Sequence, residues 1–383
     1  PVLSRGLGDV YKRQLRFSPT LVESPLYDVF QRVLEGIEES LNALASDRDD
    51  KIAYNRLLAS GERLSALVIA HGLSLRGLEA HPVGAEDIGL QLDGAGTAAR
   101  VDIAGSRAKL DRSAFHGVPV VTGWFGEGTD GNIALLGRGG SDHTATALAA
   151  LLQAQRVVLW KDVLGIYPVN PRWGVQSSPI PYLGYGEAME FANADATILH
   201  PATVEPVYEM GIPIEIRHLT GYKQDGMKTV IGPDIEVEPA IKGIACIPRV
   251  ACVNAEVRYA QDAALALSDL LQALNEAGIR ICSFDTTNTQ CRFDFRQHDV
   301  SKGVKIVQQH SSTVEYEYYA AMLSFIGCRD LNYLRSQLND LNQADGPVYE
   351  SVTSIHMLSN RVDISRMLDE MMSLVSQGKN HSA

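Results

Sequence analysis

The chain has 383 residues, 45% of them hydrophobic, and a formal net charge of -12 at pH 7. That length exceeds what one hydrophobic core usually serves and predicts two or more domains. A sequence pI near 5.3 excludes the concentrated basic face that a nucleic-acid or anionic-membrane partner needs, so small-molecule chemistry is the expectation. The cysteines, Cys246, Cys252, Cys282, Cys291 and Cys328, all lie in the second half without a CxxC pair, which predicts reduced packing thiols. No apolar run approaches the ~18 residues of a membrane span and no signal peptide is visible, so the expected setting is soluble and cytoplasmic.

In chain order, "GLGDVYKRQ" sits badly with the residues after it. One codon choice for Asp9 to Gln14 spells the transposon end used in sequencing libraries, so residues 1–14 are expected to be adaptor-derived and the natural chain truncated at or just before Leu15. "PLYDVFQRVLEGIEESLNAL" and "YNRLLASGERLSALVIAHGL" then carry apolar residues at three- and four-residue spacing and predict helices. "GVPVVTGWF", "NIALLG", "RVVLW" and "IPIEIR" are short apolar runs bounded by Gly, Pro or polar residues, as buried strands are. "GEGTDGN" between the first two reads as a hairpin turn. The mixed order implies a layered α/β domain ending near Ile231, with "GPDIEVEP" as a linker. Beyond it, "RVACVNAEV", the helix "DAALALSDLLQALNEAG", the strands "IRICSFDT" and "QCRFDFR", the helix "SKGVKIVQQH" and "TVEYEYYAAMLSFIG" form a βαββαβ unit. A shorter second copy comes next in "DLNYLRSQLNDL", "VYESVTSIHM" and "ISRMLDEMMSLV".

Between the strand "NIALLG" and an alanine-rich helix expected from near Thr144 lies "GRGGSD". Its glycines, Gly137, Gly139 and Gly140, remove the Cβ atoms that would keep a ligand from the backbone. The helix start favours an anion, and Arg138 offers a planar fork suited to a carboxylate. Asp142 could orient a lysine or magnesium. A purely structural reading stands beside this one, with Ser141 or Asp142 capping the helix and the glycines making a tight turn. "DGAGTAAR" at Asp93 to Arg100 formally fits a GxGxxA dinucleotide fingerprint, but "VDIAGSRAKLDRSAF" after it is a poor helix and a surface loop is the expectation. Isolated histidines such as His143 and His200 lack metal-ligand spacing.

The loop resembles that of the aspartate kinase family. "SGERLSA" resembles the family's Ser-x-Gly-Glu helix start, "VTGWFGEGTDGNIALLGRGGSD" its hairpin and Gly-rich loop, "VVLWKDVLGIYPVNPR" its nucleotide segment, and "ADATILHPATVEP" a third segment. The two α+β modules resemble the paired ACT domains that end such chains. The resemblance implies a three-layer amino acid kinase sandwich with a mostly parallel sheet over residues 15–236 and tandem ACT regulatory domains over 240–383. It implies transfer of the γ-phosphoryl group of ATP, with Mg2+, to the β-carboxylate of L-aspartate, an early step towards lysine, threonine and methionine. By position Glu62 would take the substrate's α-ammonium and Arg138 its carboxylate, beside Ser141. Asp142 would hold a catalytic lysine, and Lys161, Asp162, Tyr167, Arg172, Thr197 and Ile198 would line the nucleotide. No protein-held metal is implied. The partners implied are aspartate, ATP, an amino-acid effector at the ACT domains, and a second copy paired through them.

The chain departs from the family pattern in places. The opening Lys-Phe-Gly-Gly-Thr-Ser strand and loop is absent from this sequence, so the chain by itself is expected to be inactive. Lys161 stands where threonine is usual, Asn170 where aspartate is usual and Thr197 where lysine is usual; two readings stand side by side, that Lys161 supplies the charge Thr197 cannot and that Lys161 is a solvated charge at a strand end. The loop before the first ACT helix is replaced by "RYAQDAALAL". The competing reading is an ACT-bearing amino-acid sensor with a degenerate kinase domain.

Overall fold

In the computed structural model, residues 18–375 are described apart from 98, 196–197, 221–226, 236–240, 258–262, 288–289, 329, 341–346 and 351–353. They form two compact units, one running to Val157 and resuming over Ala202–Pro213, the other comprising Val158–Pro201 and the chain from Ile214 onward. The sequence-read boundary at 236–240 and the adaptor-like residues 1–14 fall outside the described residues.

The first unit opens with helices α1 (Tyr27–Ser46) and α2 (Lys51–Ser74). Asp50 caps α2 by accepting from the amides of Ile52 and Ala53, at 3.0 Å each. The apolar stripes read in the sequence meet: Leu21, Phe30, Ile37, Leu64 and Leu67 form one buried cluster. Each such side chain contributes roughly 1.5–3 kcal/mol by leaving water. Strand β1 (Ala80–Val83), the short helix α3 (Ile103–Lys109) and β2 (Val118–Val121) come next, β1 pairing parallel with β2. The run "GVPVVTGWF" is two strands and not one. Trp124 takes φ +72°, which breaks it before β3 (Phe125–Glu127). β3 pairs antiparallel with β4 (Ile133–Leu135) as the hairpin reading requires, and helix α4 (Gly140–Leu152) completes the run.

In the second unit, β5 (Val157–Lys161), β6 (Tyr182–Gly184), β7 (Ile214–His218) and β8 (Thr229–Gly232) make a four-stranded sheet in the order β5-β7-β8-β6. β6 runs parallel to β8, and helix α5 (Tyr185–Asp195) leaves it directly. A further helix, α6 (Pro201–Tyr208), returns the chain to the first unit before β7. The start of the expected linker is held in place, because Asp234 accepts from the amide of Gly186 at 3.1 Å.

The remaining residues build one six-stranded sheet, β10-β11-β9-β12-β14-β13. Strands β9 (Gly243–Val257) and β12 (Ser311–Ile326) pair antiparallel along their length. β11 (Gln290–Arg296) and β10 (Ile281–Thr286) add to the later half of β9, whereas β14 (Ser354–Ser359) and β13 (Val348–Glu350) add to the later half of β12. Helices α7 (Ala263–Glu276) and α8 (Val300–His310) cover the first module through Leu274, Val304 and Val307. Helices α9 (Leu331–Asp340) and α10 (Ile364–Met371) cover the second through Leu334, Leu338 and Met367. A strand alternates faces every residue, so a strict alternation would put the two helical layers on opposite faces. Arg249 sits at φ +56° in mid β9, and beyond it the phase shifts by one. Ala245, Ile247, Val250 and Cys252 therefore share one face, leaving the opposite face to both helical layers.

Candidate active site

In the first unit the loop "GRGGSD" comes directly after β4. Gly139 takes φ +75° and is itself the residue that precedes α4, with no side-chain cap. Helix α4 thus begins at Gly140, earlier than Thr144, and Ser141 and Asp142 lie inside its first turn and do not cap it. A Cβ on Gly140 would stand 2.6 Å from both Leu136 Cβ and Trp124 Cδ1, so only glycine lets the helix start this close to the hairpin. Thr144 locks the turn: its Oγ1 donates to Gly140 O at 2.9 Å and accepts from Trp124 N at 3.1 Å. Arg138 and Ser141 are exposed at the mouth of the loop, and Asp142 is half-buried.

Glu62 is not in a first helical turn, because the stripe from Tyr54 carries α2 unbroken from Lys51 and leaves Glu62 in mid-helix. It is half-buried, and burial raises its carboxyl pKa. The next residue, Arg63, is spent on structure, paired with Glu86 and lying over the Phe125 ring at 5.2 Å. Neither Glu62 nor Arg138 has a hydrogen-bond or ion-pair partner among the described residues. What ties the two segments is the packing of Ala59, one turn before Glu62, on Phe125 and Leu135, the last residue of β4. Asn55 adds a bond from Nδ2 to Ile133 O at 2.9 Å. An acid and a base of opposite charge, both open, are thereby fixed on neighbouring elements.

In the second unit Lys161 ends β5, half-buried, its carbonyl accepting from Leu219 N at 2.9 Å, and Asp162 is exposed beside it. Tyr167 and Ile198 line one small pocket together with Asn170, Phe191, Leu199 and Cys246. Lys161, Asp162 and Arg172 do not line it. Arg172 is exposed over the Trp173 ring at 5.1 Å, and its amide bonds Asn170 Oδ1 at 3.0 Å. Thr197 lies outside the described residues. Nothing in the run "IACIPRV" of β9 announces that Cys246 shares a pocket with Tyr167; that comes from tertiary packing.

At "DGAGTAAR" Asp93 N donates to Arg100 O at 3.0 Å, and the helix after it has 7 residues, so among the described residues there is no dinucleotide-binding strand-turn-helix there. The cysteines are free. Burial pushes the Cys252 thiol up to about 12 and Cys282 to about 11, as inert packing thiols require. No helix is long and apolar enough to cross a membrane, and no group of three or more His, Cys, Asp or Glu is placed to hold a metal, both among the described residues.

Residues 9–218 match the family described as Amino acid kinase family. The chain is 29% identical over 296 residues to an aspartokinase of Geobacillus stearothermophilus, covering 74% of this chain and 70% of that protein. It is 27% identical over 289 residues to aspartokinase 2 of Bacillus subtilis, covering 73% and 68%. Its fold is similar to E. coli aspartokinase III in complex with aspartate and ADP, with a TM-score of 0.74 at 21% identity over 96% of this chain and 86% of that one. The same enzyme in complex with lysine and aspartate gives 0.69 at 20% identity.

Proposed function

Because the chain belongs to the amino acid kinase family, with residues 9–218 matching it, we propose that it is an aspartate kinase that phosphorylates the β-carboxylate of L-aspartate from ATP. The observation that carries the reading is the open pair Glu62 and Arg138, held on elements that pack through Ala59, Phe125 and Leu135. It is supported by aspartokinase relatives over most of the chain.

One β-carboxylate oxygen attacks the γ-phosphorus, the bond from that phosphorus to the bridging oxygen breaks, and ADP leaves with the bond pair; the product is 4-phospho-L-aspartate. Little covalent work falls to the protein, which has to position the reactants and balance charge. Arg138 holds a substrate carboxylate through its fork, and Glu62 accepts from the α-ammonium. Ser141 and the start of α4 offer N-H groups and a positive dipole end to an anion. Asp142 is a positioning residue beside them. Tyr167, Ile198, Lys161, Asp162, Arg172 and Thr197 belong to the nucleotide segment, where Tyr167 and Ile198 already share a pocket. Mg2+ enters with ATP as part of the substrate and neutralises phosphate oxygens.

The two modules after residue 240 are read as ACT domains that bind an amino-acid effector and pair with a second copy. The lysine complex of the E. coli relative supports an amino acid of that kind as the first candidate. The test is calorimetry of L-aspartate and ADP on the chain, with aspartyl phosphate trapped as its hydroxamate from a full-length version that carries the opening Lys-Phe-Gly-Gly-Thr-Ser segment. Binding of both ligands is expected, competition of aspartate by succinate is expected to be weak because it lacks the ammonium for Glu62, and absence of aspartate binding overturns the reading.

A further inference from the structure

Helix α5 is fastened to the regulatory sheet at both ends. In its first turn Glu187 is 5% exposed, and its Oε2 accepts from Lys242 Nζ at 2.6 Å and from the Gly184 amide at 2.7 Å. Lys242 stands just before β9 and is itself fixed, its backbone amide donating to Ile326 O at 2.8 Å. In the last turn, Arg296 of β11 donates from Nη2 to Ala194 O at 3.4 Å. Between these points Phe191 and Ala194 pack with Ala245, Ile247 and Val250. A Cβ on Gly243 would lie 2.6 Å from Phe191 Cζ, so the helix and the strand approach as closely as glycine allows.

Helix α5 leads into the nucleotide segment. Ile198 and Leu199 come a few residues past its end, and they line the pocket with Tyr167, Asn170 and the β9 residues Ile244, Ala245 and Cys246. A helix is stiff over its length, so where its two ends are held decides where its exit points. The polar clasp is not needed to cap the helix. Asp234 already takes the Gly186 amide and Glu187 the Gly184 amide, both without Lys242. A buried ion pair contributes little to net stability over an apolar replacement, but it does fix geometry.

We propose that Lys242 and Arg296 are positioning residues for the nucleotide: they hold α5, and α5 sets Ile198 and Leu199 against Tyr167. A shift at the start of β9 or in β11 would then change nucleotide affinity, and by linkage bound nucleotide would change the sheet's response to its own ligand. This role rests on the assignment of the Tyr167 pocket to the nucleotide.

The experiment uses the whole 383-residue chain and measures the Kd of ADP, the Kd of L-aspartate and the Tm. Lys242→Met and Arg296→Met are each expected to weaken ADP by about five- to tenfold and leave aspartate unchanged. Lys242→Arg is expected to recover most of the loss. Lys242→Met alone leaves Glu187 buried without its cation and lowers the Tm, so the double variant Lys242→Met/Glu187→Gln is made to remove that penalty. Weak ADP binding by the double variant despite a recovered Tm supports a positioning role. Recovery of ADP affinity together with the Tm overturns it, as does wild-type ADP affinity in both single methionine variants. A wild-type chain that fails to bind ADP overturns the nucleotide assignment and the positioning role with it.

Discussion

Two regions of this molecule concentrate charge, and they treat it oppositely. At the Gly-rich loop, Arg138 is exposed and Glu62 half-buried, and neither has a partner among the described residues. On the six-stranded sheet, Asp294 is 0% exposed and accepts from the Tyr349 hydroxyl, while the Arg292 guanidinium lies 3.5 Å from the centre of the Tyr349 ring. His356 is buried beside them, its Nδ1 bonded to Ser324 Oγ at 2.8 Å. Burial raises the Asp294 carboxyl and pushes His356 down to about 4. Strongly shifted groups usually draw attention as functional candidates. Here the buried cluster joins shifted groups beside one another across two modules, whereas the proposed substrate-binding pair is recognised by being left open among the described residues.

The sharpest way to break that contrast is Arg138→Leu. It is expected to weaken L-aspartate by about 10³-fold, the worth of two charge-assisted bonds, with the Tm unchanged. A large fall in Tm would mean that Arg138 is structural. Next in size is the pH dependence of His356. The unfolded imidazole titrates near its ordinary 6.5 and the folded one near 4, so unfolding takes up a proton between those values. Stability is full above pH 6.5 and declines as pH falls towards 4, by roughly 3 kcal/mol in total. Asp294, with its raised carboxyl, acts in the opposite sense, gaining stability as pH falls through its folded value. Subtracting denaturation curves of His356→Asn from wild type cancels that contribution, and a difference flat across pH 4 to 6.5 rejects the assignment.

Tyr349→Phe removes a donor from the buried Asp294 and is expected to cost about 2 kcal/mol in urea denaturation, with aspartate and ADP affinities unchanged. Altered ligand affinity would join the two regions that the comparison separates. The smallest effect is expected at Lys161. If it supplies phosphate charge, then in a full-length enzyme that carries the opening Lys-Phe-Gly-Gly-Thr-Ser segment Lys161→Thr raises the KM for ATP about tenfold without altering that for aspartate; an unchanged KM for ATP makes it a strand-end charge only.

Elements whose cause is local were legible. The stripes of α1 and α2, the hairpin at "GEGTDGN" and the βαββαβ order of β9 to β12 come from periodicity and turn residues. The positions misread were those where one residue's backbone departs from its neighbours' pattern. Trp124 at φ +72° splits one apolar run into two strands, and Gly139 at φ +75° starts α4 earlier than composition suggests. Glu62 looked like a helix start because Ser60 and Gly61 resemble one, yet the stripe around them runs on. Of the proposed site, the sequence supplies residue types and order, since the chemistry of an acid, a base and a Gly-rich loop is carried by the residues themselves.

By itself, then, the sequence determined the elements, their order and the family-like loop, because periodicity, turn chemistry and side-chain type act over a few residues. Tertiary structure alone decided which charges meet. Asp294 reaches Tyr349 across 55 positions, and Lys242 reaches Glu187 across the same span. Such pairings depend on how a kink at Arg249 phases the sheet and on which groups burial leaves without water, and neither is encoded in any short stretch of chain.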